Sequence, residues 1–196
     1  MINLIALAIP FFLVLIVLVA GWAWRSGKLA QIYQWEDSFS DLGCGISSQV
    51  TGQFLGAVVA NGVYQDVYGS HLMNLPLGVP LWSGSFIAVD FLYYWWHRSS
   101  HRVNLLWAAH VVHHQSEDYN LSVALRQAIF TALTSIPFYL PLAILGVPPI
   151  VFFTCSALNT LYQFWIHTRL IGKLGPLEWI LDRKSTRLNS SHSSVS

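Results

Sequence analysis

The chain has 196 residues, of which 54% are hydrophobic and only 10% are charged, whereas soluble domains carry about 25% charged residues. Its mean hydropathy is +0.50, and a globule of this size has too little interior to bury so much apolar surface. The net charge of +1, with no basic block, excludes nucleic acid as an expected partner. The two cysteines, Cys44 and Cys155, have neither disulfide nor zinc-ribbon spacing. We therefore expect an integral membrane protein.

Five apolar stretches predict an all-α, multi-pass transmembrane helical bundle of about four to five spans, since each span needs about 20 apolar residues. In chain order they are residues 1–24, 46–68, 81–96, 127–145 and 149–166. The first stretch has no basic residue before its apolar core, so we interpret it as a retained helix rather than a signal peptide. The second contains Asn61 and Asp66 and is the weakest, with a re-entrant segment as the alternative. Residues 146–149, Gly-Val-Pro-Pro, separate the last two spans and predict a helical hairpin.

The positions of the positive charges favour one topology. The ten Lys and Arg residues are Arg25, Lys28, Arg98, Arg102, Arg126, Arg169, Lys173, Arg183, Lys184 and Arg187. None lies within residues 29–97 or 127–168, so five spans would place all of them on the same side of the membrane. Because loops rich in Lys and Arg stay in the cytoplasm, we expect the histidine-rich residues 97–126 on the cytoplasmic face and the N-terminus outside.

Five of the eight histidines lie between residues 97 and 114. His97 and His101 are four residues apart, and His110 is followed by His113 and His114. On an α-helix, residues three or four apart share a face, so each group predicts imidazoles that point the same way. Neutral imidazole binds iron, zinc, copper and nickel. The spacing therefore predicts a metal site at the end of an apolar span, with no catalytic residue beyond the metal centre.

The neighbouring residues narrow the choice of metal. Zinc peptidases use H-E-x-x-H, with the glutamate as general base, but Arg98 follows His97 here. A haem would account for two histidines rather than five, and a pH sensor needs no paired helical spacing. An unactivated C–H bond requires a metal and O2, because it offers nothing to an acid, a base or a nucleophile. The pattern favours iron-dependent oxidation of an apolar substrate.

Asp90 lies seven residues before His97, two turns back on the same face of the predicted helix. An ionisable group inside a span costs about 2.5–3.5 kcal/mol on insertion scales, so a compensating partner is expected. A hydrogen bond to a ligand imidazole would compensate Asp90 and fix the tautomer of that histidine. A neighbouring hydroxyl or indole N–H is the structural alternative.

The two motifs, H-x-x-x-H and H-x-x-H-H, resemble those of the sterol desaturase and fatty acid hydroxylase superfamily. The similarity extends over residues 37–181 and is greatest to its alkylglycerol monooxygenase-like branch. The stretches that carry it are DFLYYWWHRSSH, HVVHHQSEDYNLSVALRQ, LYQFWIHT and LGPLEWIL. The resemblance implies a membrane-bound, non-haem di-iron centre on the cytoplasmic face. It also implies O2-dependent hydroxylation or desaturation of a lipid, with sterol, fatty acyl, sphingoid and ether lipids all open.

The resemblance also assigns residues. The histidines that match iron ligands are His97, His101, His110, His113, His114 and His167. Asn120 and Arg126 match the motif of the alkylglycerol branch near the site, although an interfacial anchor is the alternative role for Arg126. In that branch the electron donor is tetrahydrobiopterin, and a reductase-linked cytochrome is the alternative donor.

The end of the chain departs from the superfamily pattern. A third cluster, H-H-x-x-H-H, follows the LEWIL-like stretch in the superfamily, but no such cluster follows Asp182. We therefore expect a transmembrane anchor in residues 1–33, a truncated hydroxylase-like domain in 34–182, and a non-native or disordered tail in 183–196. Without the third cluster, the chain is expected to bind iron poorly or not at all. A non-catalytic metal-binding membrane protein and a bis-histidine haem electron carrier stay open as alternatives.

Overall fold

The computed structural model describes residues 4–29, 33–56, 61–116 and 121–164, and within these ranges it contains helices and turns but no β-strand. The α-helices are α1 (Leu4–Arg25), α2 (Trp35–Leu55), α3 (Asn61–Tyr68), α4 (Val79–Ser100), α5 (Asn104–His110), α6 (Thr131–Leu145) and α7 (Pro149–Phe164). Two short 3-10 helices span Val111–His114 and Val123–Leu125. The predicted all-α class is confirmed.

Helix α1 corresponds to the first predicted span. Its segment Leu7–Arg25 has a mean hydropathy of 2.4, and within the described ranges it is the one helix long and apolar enough to cross a membrane. Large apolar side chains on its outer face are exposed, Leu7 and Val17 among them. The other four spans, and the side on which the histidines lie, stay predictions.

The second predicted span has a different start in the structure. Helix α2 begins at Trp35, well before residue 46, and ends at Leu55, whereas α3 is a separate short helix from Asn61. Glu36 and Asp37 lie in the first turn of α2, where carboxylates interact favourably with the positive end of the helix dipole. The acidic stretch therefore opens the helix rather than preceding it.

Helix α4 is the element that links the bundle to the histidines. It starts two residues before the predicted span and continues past it to Ser100, with Pro80 in the first turn, where no N–H donor is needed. It packs against α5, α6 and α7. This extension beyond the predicted end at residue 96 places His97 on the helix and His101 at its C-cap.

Helices α6 and α7 are separated by a tight turn at Gly146. This residue has φ +98°, a left-handed conformation that favours glycine because it has no Cβ. The N–H groups of Gly146 and Val147 donate to the carbonyls of Ala143 and Leu142 at 3.0 and 2.9 Å, which closes the end of α6. The predicted break is confirmed, and both helices pack against α4.

The main apolar core surrounds the middle of α4 at Val89. Its buried members are Tyr64, Val89, Ile136, Tyr139, Leu142, Ala143, Val147, Val151, Phe152 and Cys155. Tyr64 stacks on Phe152 with ring centroids 4.3 Å apart, and its hydroxyl donates to the carbonyl of Val147 at 3.1 Å. Because His97 follows Val89 by eight residues, it lies about 12 Å further along the helix axis. The core therefore fixes the middle of α4, and Tyr93, which packs against the core and stacks on His97, connects it to the histidine end.

Candidate metal centre

Two pairs of histidines meet where α4 and α5 end. His97 and His101, at the C-terminal end of α4, have Nε2 atoms 3.1 Å apart. His110 ends α5, His114 ends the following 3-10 helix, and their Nε2 atoms are also 3.1 Å apart. Two imidazole nitrogens at this distance repel each other if both present lone pairs, so each pair requires a shared proton or a cation between its rings.

Together these residues form a cluster of four imidazoles. One nitrogen from each of His97, His101, His110 and His114 lies within 4.8 Å of the other three. His110 is buried, His97 and His114 are half-buried, and His101 is exposed. Two nitrogens bound to one ion at about 2.1 Å lie at most about 4.2 Å apart, so only small movements are needed to close the widest pair. The donor set fits a metal of the kind that imidazole binds.

Aromatic rings surround the cluster. For each of three aromatic side chains, the nearest imidazole has its ring centroid within 6 Å. The distances are 5.7 Å from Tyr93 to His97, 5.6 Å from Trp96 to His110, and 5.4 Å from Trp107 to His101. Such rings restrict the rotation of the imidazoles and cover part of their surface, although His101 stays exposed. An apolar shell of this kind controls solvent access to a metal.

His113 is not one of the four imidazoles in the cluster. Its Nδ1 lies 2.8 Å from the backbone carbonyl oxygen of Arg126, and since a carbonyl only accepts, Nδ1 is the donor. In the neutral ring, Nε2 then carries the lone pair. Metal-bound histidines usually donate their other ring N–H in this manner. His113 lies at the edge of the cluster, with its ring centroid 5.3 Å from that of His114.

The side chain of Arg126 forms a buried ion pair with two aspartates of α2, next to the 3-10 helix that carries His113 and His114. Its Nε donates to the carbonyl of Val112 at 2.7 Å, and its Nη1 lies 2.9 Å from Oδ1 of Asp41 and 3.4 Å from Oδ1 of Asp37. The hydroxyl of Ser122 donates to the other oxygen of Asp41 at 2.8 Å. Asp41 is completely buried and Arg126 nearly so. The ion pair therefore joins α2 to the histidine-bearing segment.

Burial raises the pKa of the Asp41 carboxyl group, and the negative charge of Asp37 acts in the same direction. Hydrogen bonds from Arg126 and Ser122 lower this pKa, but they do not cancel the effect of burial. Arg126 was among the predicted site residues, whereas Asp37 and Asp41 were not. The sequence does contain a signal for them: Asp37 and Asp41 are four residues apart in a chain with few charges, a spacing that places two carboxylates on one face of a helix.

Among the described residues, Asp90 and His71 are not members of the cluster of four imidazoles. Asp90 accepts a hydrogen bond from the side chain of Asn159 on α7, so this partner is an amide, and a role toward a ligand imidazole stays a prediction. Asn120 and His167 lie outside the described residues. His71, in the loop after α3, has Nδ1 2.7 Å from the carbonyl of Tyr68 and Nε2 2.9 Å from Oδ1 of Asn74. Both contacts raise its pKa, that with Asn74 the more strongly.

The chain is similar to one protein family and to several known proteins. The model of the fatty acid hydroxylase family matches residues 82–195. The chain is 42% identical to an alkylglycerol monooxygenase of Homo sapiens over 181 residues, which are 91% of this chain and 40% of the relative. It is 44% identical to that of Xenopus tropicalis over 179 residues, 89% of this chain and 39% of the relative.

A more distant relative is the alkylglycerol monooxygenase of Caenorhabditis elegans, 32% identical over 151 residues, 76% of this chain and 30% of the relative. The chain thus spans about 40% of the length of the first two relatives. No solved structure matches it. The family match covers more than half of the chain and contains all four clustered histidines. The chain belongs to the fatty acid hydroxylase family.

Proposed function

We propose that this chain forms part of a membrane-bound, non-haem di-iron enzyme that uses O2 to hydroxylate or desaturate a lipid. The observation that carries the proposal is the convergence of four imidazoles, each with one nitrogen within 4.8 Å of the others. When bound, iron supplies the capacity to use O2 against an unactivated C–H bond.

The four clustered histidines are the residues that would hold the first metal. They are as many ligands as a closed zinc site contains. The sequence alone predicts poor iron binding or none, but because these four imidazoles converge, we propose that this part of the centre binds one divalent probe ion by itself. Two irons need a larger set. His113 is suited to the second position, because its Nδ1–H is already donated to the carbonyl of Arg126. We propose His167 as a further ligand on the basis of its motif.

The surroundings of the cluster support an apolar substrate. Tyr93, Trp96 and Trp107 border the imidazoles. The surface that they present next to the metal ligands is therefore mainly aromatic. Their role is to position the imidazoles and to exclude water. A lipid chain is compatible with such a border, whereas a charged substrate would require compensating charges there.

We further propose that the chain is multi-pass, with the histidine centre on the cytoplasmic face. The absence of Lys and Arg from residues 29–97 and 127–168 supports this topology. Large apolar side chains also stay exposed on several helices, including Phe54 on α2 and Ile87 on α4. Exposed apolar surface on this scale is typical of contact with lipid or with further protein.

Ether lipid is the substrate class that we favour. The names of the relatives, alkylglycerol monooxygenases, support it, while an apolar pocket by itself separates chain types by only about 1–3 kcal/mol per methylene. Tetrahydrobiopterin is the corresponding electron donor, and a reductase-linked cytochrome is the alternative.

The test combines metal content with product formation. Detergent-purified protein is loaded with Fe(II) without oxygen, then given O2, tetrahydrobiopterin and, separately, an alkylglycerol, a fatty acid and a sterol. We expect bound iron and oxidation of the alkylglycerol, with His110→Ala inactive and the Xenopus tropicalis relative as positive control. Bound metal without lipid oxidation would favour a non-catalytic metal-binding protein. A Soret band would favour the haem carrier.

A further inference from the structure

We propose that Asp37, Asp41 and Arg126, here called the clamp, act as positioning residues by which α2 holds the histidine-bearing segment in its metal-binding geometry. The inference rests on the proposed metal-binding function. It assigns a role in that function to two carboxylates that precede residue 82, where the match to the family begins.

Arg126 contacts the histidine-bearing segment at two points. Its side-chain Nε donates to the carbonyl of Val112 at 2.7 Å, and its own carbonyl accepts from Nδ1 of His113 at 2.8 Å. Both partners belong to the 3-10 helix Val111–His114. Because His114 follows directly and pairs with His110, a displacement of Arg126 moves the backbone on which two imidazoles are carried.

The two aspartates fix the guanidinium group. Asp41 is completely buried, and it receives hydrogen bonds from Nη1 of Arg126 at 2.9 Å and from Ser122 at 2.8 Å. Asp37 lies one turn earlier on α2 and accepts from Ser116 at 2.6 Å. A guanidinium group held by charge-assisted hydrogen bonds in a buried site has few alternative orientations. Removal of one partner therefore weakens the restraint on the orientation of Arg126.

The close approach of α2 at Gly45 supports the same arrangement. Asp37, Asp41 and Gly45 are spaced four residues apart, so they lie along one face of α2. A Cβ added at Gly45 would lie 2.7 Å from the carbonyl oxygen of Leu125, the residue before Arg126. The helix therefore touches the segment by backbone contact beside the ion pair, and glycine is needed for that contact.

The first test measures the affinity for Co2+ by its d–d absorption in detergent-purified protein. Asp41→Asn and Arg126→Lys are compared with Arg98→Lys, because Arg98 is exposed and donates to Tyr94. Lysine keeps the charge of Arg126 but cannot donate to Val112 and Asp41 from separate nitrogens. We expect the two clamp variants to bind about 10–100-fold more weakly and the control to bind as the wild type does.

A glycine pair tests the same geometry without changing a charge. Gly45→Ala would force α2 away from Leu125, whereas Gly43→Ala, on the same helix, has nothing within 4 Å of the added Cβ. We expect weaker Co2+ binding for Gly45→Ala alone. Wild-type affinity in Gly45→Ala and in both clamp variants would overturn the proposal, even if their metal-free forms unfold at lower temperature.

A metal-independent readout separates the clamp from the proposed function. In 15N-histidine spectra, with His113 assigned through His113→Gln, the wild type is expected to show the Nδ1–H tautomer at His113. If the wild type binds no Co2+, the proposed metal-binding function is wrong. The spectra then test separately whether the clamp holds His113 in its orientation. Loss of this fixed tautomer in Asp41→Asn supports the positioning role, and its retention overturns that role.

Discussion

The two halves of helix α4 are held in different ways. Around Val89 the helix is surrounded by apolar side chains from α3, α6 and α7, such as Tyr64 and Phe152. Around His97 the helix contacts imidazole and indole rings. The buried ion pair of Arg126 and Asp41 lies behind the next segment, the 3-10 helix Val111–His114, to which Arg126 is hydrogen-bonded. One continuous helix therefore joins a non-directional apolar core to a site made of directional contacts.

This difference has consequences for tolerance to mutation. An apolar core accepts many substitutions that keep volume and hydrophobicity. Buried polar networks depend on each partner, because an unpaired charge or donor in a low-dielectric interior is costly. We therefore expect single polar changes at the histidine end to have larger effects than conservative changes in the core.

The largest effect on folding is expected for Arg126→Met. Removal of one partner from a buried ion pair costs about 3–5 kcal/mol, since it leaves an uncompensated charge, and Asp41 is completely buried. Denaturant unfolding in detergent measures the change. The double variant Asp41→Asn with Arg126→Met should recover part of the loss. A single variant no less stable than the exposed control Arg98→Met would show that the ion pair contributes little.

The next largest effect is expected for Gly146→Ala, in the half without the cluster of four histidines. The left-handed conformation costs about 1–2 kcal/mol for a residue with a Cβ, and the added atom would overlap the carbonyl oxygen of Met73. We expect lower stability with unchanged Co2+ affinity at temperatures where the protein is folded. Gly84→Ala, which has nothing within 4 Å of its added Cβ, is the control. A fall in metal affinity would mean that the two halves are not independent.

The smallest effect is expected for Tyr64→Phe. This change removes the hydrogen bond to the carbonyl of Val147 and keeps the stacking on Phe152, so a loss of about 1 kcal/mol is expected. Thermal unfolding measures it, and Co2+ affinity should equal that of the wild type. A loss as large as that of Arg126→Met would contradict the contrast between the two halves.

The apolar half could be predicted from the sequence because its signal is local. The apolar run 81–96 predicts a helix whose ends lie two and four residues inside those of α4, Val79–Ser100. Gly146 likewise predicts the break between α6 and α7. The spacing of four residues also predicts that His97 meets His101, since residues four apart on a helix share a face. The pair His110 and His114 meets as well, but across the junction between α5 and a 3-10 helix, and His113 lies outside the cluster. Local periodicity thus accounts for the helices and for the first ligand pair.

The support of the site could not be predicted in this way. Asp41 and Arg126 are 85 residues apart in the chain, and periodicity does not predict contacts over such a separation. The orientation of His113 also depends on a tertiary contact, the carbonyl of Arg126. Hydrophobicity does not predict the start of α2 at Trp35, because the first turn of this helix is acidic, although acidic residues favour a helix N-terminus.

The most direct test of the account is the Co2+ stoichiometry of the purified chain, with His110→Ala and His71→Ala as a matched pair. Both changes remove one imidazole, but His71 lies in the loop after α3, hydrogen-bonded to Asn74, whereas His110 belongs to the cluster of four. We predict about one tightly bound ion in the wild type and in His71→Ala, and none in His110→Ala. Equal binding by both variants, or none by the wild type, would contradict a metal centre at this cluster.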